Sequence, residues 1–338
     1  MEKLFHKRLY WGIRLLFQVH NRFRFTLLLT LLALLVMLPA GVQGWGFWAH
    51  RRINRVAVFT LPPEMLGFYK QHLDYYTARA TLADSRRYTV EGEAPKHYID
   101  LDSYGTLPLL NLPQRWQDAV ARYSEDTLSK HGILPWSLSL VQWQLTEAFY
   151  NRDAGDILKL SADLGHYLAD AHVPLHCTRN YNGQLTGQHG IHALWESHIP
   201  EAFGEGYDYY FGPAQYVEKP TELIWQVIRE SYAATDSVLT LEAALARQVP
   251  EDKRYTFTTR GSATQRSYST AYLKQYNAAL QGMVERRMRL AAYRIGCMIF
   301  TAWVNAGQPD LTTLRYDPTQ EKPEPELPKL PMTDREAY

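Results

Sequence analysis

The stretch His166-Tyr-Leu-Ala-Asp170-Ala-His-Val-Pro-Leu-His176 decides how this chain is read. It continues the apolar periodicity of residues 154–172, so its first half is expected on a helix. Four residues apart on a helix, His166 and Asp170 share a face, and Pro174 ends the helix so that His176 can turn back toward them. A second pair follows in His192-Ala-Leu-Trp-Glu196, again an imidazole and a carboxylate one turn apart. One such pair commonly does no more than stabilise a surface helix. Two pairs within 31 residues, joined by a glycine-containing loop, point to metal. Imidazole nitrogen and carboxylate oxygen are the ligand types zinc takes in hydrolytic sites. His189 competes with His192 for the ligand role, but it lies seven residues from Glu196 and the closer histidine is preferred.

Outward from this stretch the pattern stays helical. Residues 48–59, a segment starting on Pro62 and Pro63, and residues 112–129, 136–151, 219–247 and 265–305 carry apolar side chains at three- and four-residue spacing. No convincing strand series and no internal repeat stands out. Residues 80–111 and 177–190 read as long loops, which in a compact domain are often functional. The expectation is an all-α chain with one multi-helix domain over residues 45–306.

Composition bounds the rest. The 338 residues are 46% hydrophobic and 21% charged, near globular averages, which argues against wholesale disorder, a collagen-like repeat and a multi-span membrane protein. Residues 1–44 read as an export segment, because six basic residues precede the apolar run 25–39 and small residues follow it. That run is shorter than the roughly 20 residues a bilayer span needs. Cleavage after Gly44 is the favoured boundary, with an uncleaved signal anchor as the alternative, and either outcome takes the protein out of the cytosol to a periplasmic, secreted or membrane-anchored location. Without the leader, 36 basic and 35 acidic residues become 30 and 34, so the formal charge moves from +1 to −4. Such a body has no overall attraction for nucleic acid or anionic membrane, although a local patch can still supply one. Residues 307–338 hold six of the 18 prolines and are expected to be disordered or extended. Cys177 and Cys297 are the only cysteines and are read as buried small hydrophobes rather than a bridge.

The pattern His-x3-Asp-x3-Pro-x-His followed by His-x3-Glu resembles the zinc-dependent phospholipase C and single-strand nuclease superfamily, which includes nucleases of the S-one and P-one type. The remaining ligands of that superfamily have matches here. Its N-terminal tryptophan and nearby histidine match Trp45 and His50, with Trp45 at the expected cleavage point. Its Ala-Asp aspartate matches Asp84, with Asp74 upstream as a competitor, and its His-aromatic-x-Asp histidine matches His97 in His97-Tyr-Ile-Asp100. The resemblance implies three zinc ions. Asp84, His97, His166 and Asp170 would hold the first; His176, His192 and Glu196 the second; and Trp45, His50 and a bridging Asp170 the third. It also implies that signal-peptide removal creates part of the site, by freeing the Trp45 amine.

What the resemblance implies chemically is phosphodiester hydrolysis by metal-activated hydroxide, with Asp84 as ligand, base or orienting group for the attacking water. Singly, each ligand has a plainer reading as a cap, a surface pair or a hydrogen-bonded core histidine, and Tyr98, Tyr167 and Trp195 are expected in the core. His72, His131, His172 and His198 are left as surface or structural residues. For substrate, the His-x3-Glu ending and the short separation of His176 and His192 lean to phospholipid, while the Trp45/His50 spacing and His97-Tyr-Ile-Asp100 lean to single-stranded nucleic acid; the phospholipase C-like assignment is slightly preferred, with the nuclease as its alternative. A zinc-stabilised helical binding protein without turnover is the alternative of another class. No protein partner is inferred.

Overall fold

The computed structural model describes residues 46–260, 263–317 and 319; the leader, Trp45 and most of the proline-rich tail lie outside the described residues. Six helices carry the body: α1 (Phe47–Val58), α2 (Leu134–Tyr150), α3 (Ala154–Ala171), α4 (Pro220–Gln248), α5 (Thr270–Ala279) and α6 (Met283–Asn305). Their starts follow local chemistry. α2 and α4 carry a proline in their first turn, Pro135 and Pro220, where a missing N–H costs nothing, and the Asp153 carboxylate caps α3 by accepting from the Asp156 amide at 2.9 Å.

α3 is the central helix and packs on α1, α2, α4 and α6. Every residue from Gly165 to Ala171 is buried, as expected of a helix that is apolar on most sides. The two polar members of that run, His166 and Asp170, are therefore held deep in the protein. α1 approaches α3 closely at Gly165, where a Cβ would fall 1.8 Å from Asn54 Oδ1. Asn54 in turn donates to the His50 carbonyl and accepts from the Tyr76 hydroxyl, each at 2.9 Å. Gly165 thus allows the approach that brings His50 of α1 beside His166 of α3.

The all-α reading holds, with local differences. Residues 112–129 divide at Ser124, whose φ of 66° breaks the chain into helices Trp116–Tyr123 and Glu125–His131. Residues 265–305 do not start as a helix. A hairpin of β1 (Tyr255–Arg260) and β2 (Ala263–Tyr268) comes first, and Gln281 and Gly282 at positive φ then separate α5 from α6. The loop expected over 80–111 contains short helical turns at Leu82–Arg86, Ala94–His97, Leu101–Tyr104 and Pro108–Asn111. Residues 177–190 are irregular as expected, tied down where Asp102 accepts from the Thr178 hydroxyl and the Arg179 amide, both at 2.9 Å. Residues 307–317 lie against the body: Leu311 is buried and the Tyr316 hydroxyl meets that of Tyr75 at 3.1 Å. Cys177 and Cys297 are buried and form no disulfide, and Tyr167 and Trp195 are core residues. Among the described residues no helix is long and apolar enough to cross a membrane.

Candidate metal centre

Five of the nine residues read from the motifs converge in one buried cluster. Asp170 is its centre, and its two oxygens face different neighbours. Oδ2 lies 2.9 Å from His97 Nδ1 and 3.3 Å from His166 Nε2, while Oδ1 lies 3.3 Å from His50 Nε2. His166 Nε2 and His97 Nδ1 are 3.1 Å apart, and the His50 and His166 rings stack at 4.0 Å. Asp84 closes the cluster with Oδ1 3.6 Å from His166 Nε2. Its competitor Asp74 is fully exposed and pairs with Arg55 instead.

A second cluster holds three more. His192 Nε2 is 2.8 Å from Glu196 Oε1, and His176 Nε2 is 3.3 Å from Glu196 Oε2. Glu196 sits on a single π-helical turn, Leu194–His198, a conformation often found where function requires it. His176 Nδ1 lies 3.9 Å from Asp170 Oδ1, so the two clusters adjoin. His189 is exposed and outside both. Trp45, the ninth residue, lies outside the described residues; its neighbour Gly46 is buried and donates its amide to Ser197 Oγ at 3.0 Å, next to Glu196.

The far side of three rings settles which nitrogen faces inward. His166 Nδ1 donates to the Ala80 carbonyl at 2.8 Å, His192 Nδ1 to the Tyr181 carbonyl at 3.0 Å, and His176 Nδ1 to the His97 carbonyl. Each ring therefore turns its Nε2 toward its cluster, the arrangement by which proteins orient metal-binding histidines. His172, though buried, does not join them: its Nδ1 bonds the Leu168 carbonyl and its Nε2 faces Arg294 at 3.2 Å.

The electrostatics fit a cation. Burial opposes charge on Asp170, yet His166 and His176 hold its carboxyl well below the usual carboxylate range. Burial likewise opposes charging the His166 ring, but Asp170 and Asp84 outweigh it and hold that ring up at about 9. His97, where burial dominates, is pushed down to about 4. Asp84 Oδ2 is buried without a hydrogen-bond partner. Three buried carboxylates, inward-facing imidazole Nε2 atoms and an unsatisfied carboxylate oxygen make a donor set suited to zinc.

Glu93 supports this site and was not singled out from the sequence, because nothing local marks it as buried. Its carboxylate accepts from the Tyr167 hydroxyl, from Arg86 Nη2 at 3.1 Å and from Lys96 Nζ at 2.8 Å, and Oε1 lies 4.0 Å from His97 Nε2. Burial disfavours its charge, but Arg86 foremost, with Lys96 and Tyr167, brings its pKa down to about 2. A depressed carboxyl pKa contributes stability that is present above the unfolded value near 4.5 and lost as pH falls toward 2. The shift is worth about 3 kcal/mol at neutral pH. Glu93→Gln is accordingly expected to lower the melting temperature by roughly 5–10 °C at pH 7. In thermal melts between pH 7 and pH 2 the gap from wild type should close as the pH falls; a constant gap would contradict this origin.

The fold and these clusters define a class: an all-α protein built around adjoining histidine–carboxylate clusters of the type that holds zinc in hydrolases. No protein-family model matches the chain. It is similar to nuclease S1 of Aspergillus oryzae, with 24% identity over 195 residues, covering 53% of this chain and 63% of that protein. Among solved structures it is similar to the alpha-toxin of Clostridium perfringens, at a TM-score of 0.48 and 13% identity, covering 79% of this chain and 66% of the toxin. The alpha-toxin of Clostridium absonum follows at 0.43 and 11%, covering 81% and 67%. The match to nuclease S1 agrees with the resemblance to the phospholipase C and single-strand nuclease superfamily that the motif order carries.

Proposed function

We propose that the chain is a zinc-dependent phosphodiester hydrolase acting on single-stranded nucleic acid. The observation that carries the hydrolase reading is the convergence of eight motif residues, drawn from α1, α3 and the short helical turns that connect the main helices, into two adjoining, largely buried clusters. His97, His166, Asp84 and Asp170 would hold one ion, and His176, His192 and Glu196 a second. His50 with Asp170, completed by Trp45, would hold a third. Bound zinc supplies Lewis acidity toward phosphate oxygens and acidifies water near neutral pH. The chain's own groups position that chemistry. Backbone carbonyls of Ala80, His97 and Tyr181 fix three of the rings, and Asp170 spans two groups with its two oxygens. Asp84 Oδ2 is an acceptor for a proton of the attacking water.

For substrate, the match to nuclease S1 supports nucleic acid, against the slight lean to phospholipid of the His-x3-Glu ending; a phosphodiester is the class the two readings share. The leader read over residues 1–44 supports export. The test uses the zinc-loaded protein on a single-stranded oligonucleotide and on phosphatidylcholine vesicles. Cleavage of the oligonucleotide, abolished by chelation and restored by zinc, is the expected result. Vesicle cleavage alone would return the phospholipid reading, and full zinc loading with neither activity would favour a binding protein.

A further inference from the structure

The β1–β2 hairpin takes no part in the site described above, yet it stands beside it. The strands pair with Tyr255 opposite Tyr268 and Phe257 opposite Arg266. Cross-strand partners share a face, as do residues two apart, so these four side chains form one face of the ribbon. At its inner end Tyr268 lies against the segment that carries the second cluster. The Tyr268 ring is 5.9 Å from that of His198, and its hydroxyl is 3.5 Å from where a Cβ would stand on Gly190. Gly190 precedes His192 by two residues and His198 follows Glu196 by two. Tyr268 also stacks on Tyr272 of α5 at 5.7 Å, and the Tyr272 hydroxyl is anchored on Glu242 of α4 at 2.6 Å. An isolated two-stranded ribbon is marginal in water, and these contacts fix its base to the body.

At its outer end the ribbon displays what packing does not require. Phe257 is 71% exposed, and its cross-strand partner Arg266 is exposed, with its guanidinium 4.2 Å from the centroid of the Tyr255 ring. Phe257 lies two residues, roughly 7 Å, beyond the Tyr255–Tyr268 pair. An open aromatic face beside a cation is the pairing that takes an unstacked base and its phosphate. The strand sequences, Tyr-Thr-Phe-Thr-Thr-Arg and Ala-Thr-Gln-Arg-Ser-Tyr, are polar apart from these aromatics and Ala263. A membrane-inserting tip would instead present contiguous apolar residues.

We propose that this face is a binding arm for single-stranded nucleic acid. One unpaired base stacks on Phe257, Arg266 meets an adjacent phosphate, and the strand continues past Tyr268 toward the clusters. The arm rests on the nuclease reading above and names the residues that would engage that substrate.

The experiment compares the zinc-loaded full chain with Phe257→Ala, Phe257→Trp and Arg266→Ala on two substrates, a single-stranded oligonucleotide and the small diester bis(p-nitrophenyl) phosphate. The readout is the ratio of kcat/KM on the oligonucleotide to that on the small diester. Phe257→Ala should lower this ratio roughly tenfold, through KM for the oligonucleotide, and Phe257→Trp should restore it. Arg266→Ala should also lower it and should reduce the salt dependence of oligonucleotide KM. A wild type that cleaves the oligonucleotide, with a Phe257→Ala ratio within twofold of its own, overturns the arm and leaves the nuclease reading standing. A wild type that cleaves vesicles and the small diester but no oligonucleotide overturns both.

Discussion

Asp170→Asn is expected to reduce phosphodiester hydrolysis by at least about a thousandfold, because one carboxylate serves both faces of the first cluster. Its Oδ2 lies against His97 and His166 and its Oδ1 against His50, so a neutral amide weakens two groups of ligands at once. Asparagine preserves shape, and one of its two terminal atoms becomes an N–H donor aimed at imidazole nitrogens that should face a cation. Loss of activity alone would not separate a missing metal from a damaged fold. The decisive readout is thermal stability with and without zinc. A ligand bound only by the native state adds about 4 kcal/mol of stability at a concentration a thousandfold above its dissociation constant. Wild type should therefore melt well above its metal-free form, and Asp170→Asn should lose most of that increment, with zinc per chain falling in parallel. A variant that keeps both the zinc content and the increment would remove Asp170 from the centre of the site.

What the sequence made readable, and what it did not, follows the range of the interactions. The His166–Asp170 and His192–Glu196 pairs are local, set by one helical turn. Pro174 turns the chain after α3, and the ligand types then narrow the chemistry. Asp84 required the fold, since only packing distinguishes it from Asp74, which is exposed beside Arg55. Glu93 was invisible because its burial depends on Tyr167, far along the chain, as well as on nearby Arg86 and Lys96.

The hairpin was missed for a different reason. Tyr255, Phe257, Tyr268 and the intervening threonines favour strand, and Gly261-Ser262 lies between the two runs, but the helical spacing of 265–305 continues without a break through the residues of β2. The break at Gln281 and Gly282 is marked only by one glycine in a helical run, a weak signal beside the periodicity on either side. In both places a strong periodic signal on one side was carried across a weaker local one.

His192→Ala tests whether the two clusters are separable parts. His192 is at the rim, its side chain 19% exposed, whereas Asp170 is almost wholly buried, so truncating it leaves no large cavity. The ring's contacts are confined to its own group: Nε2 on Glu196, Nδ1 on the Tyr181 carbonyl, and a stack on His176 at 5.0 Å. Removing it leaves His176 and Glu196 with two protein ligands between them, too few for tight zinc binding. Nothing among its contacts reaches His50, Asp84, His97 or His166 directly. The expected outcome is the loss of one zinc per chain with the others retained, a partial rather than complete loss of the zinc-dependent rise in melting temperature, and hydrolysis reduced by about a hundredfold or more. Metal analysis after dialysis against buffered zinc, beside melts of the same samples, separates this from the Asp170→Asn result. Equal loss of all bound zinc in both variants would mean that the adjoining clusters, joined through the His176–Asp170 contact, fill and empty as one unit.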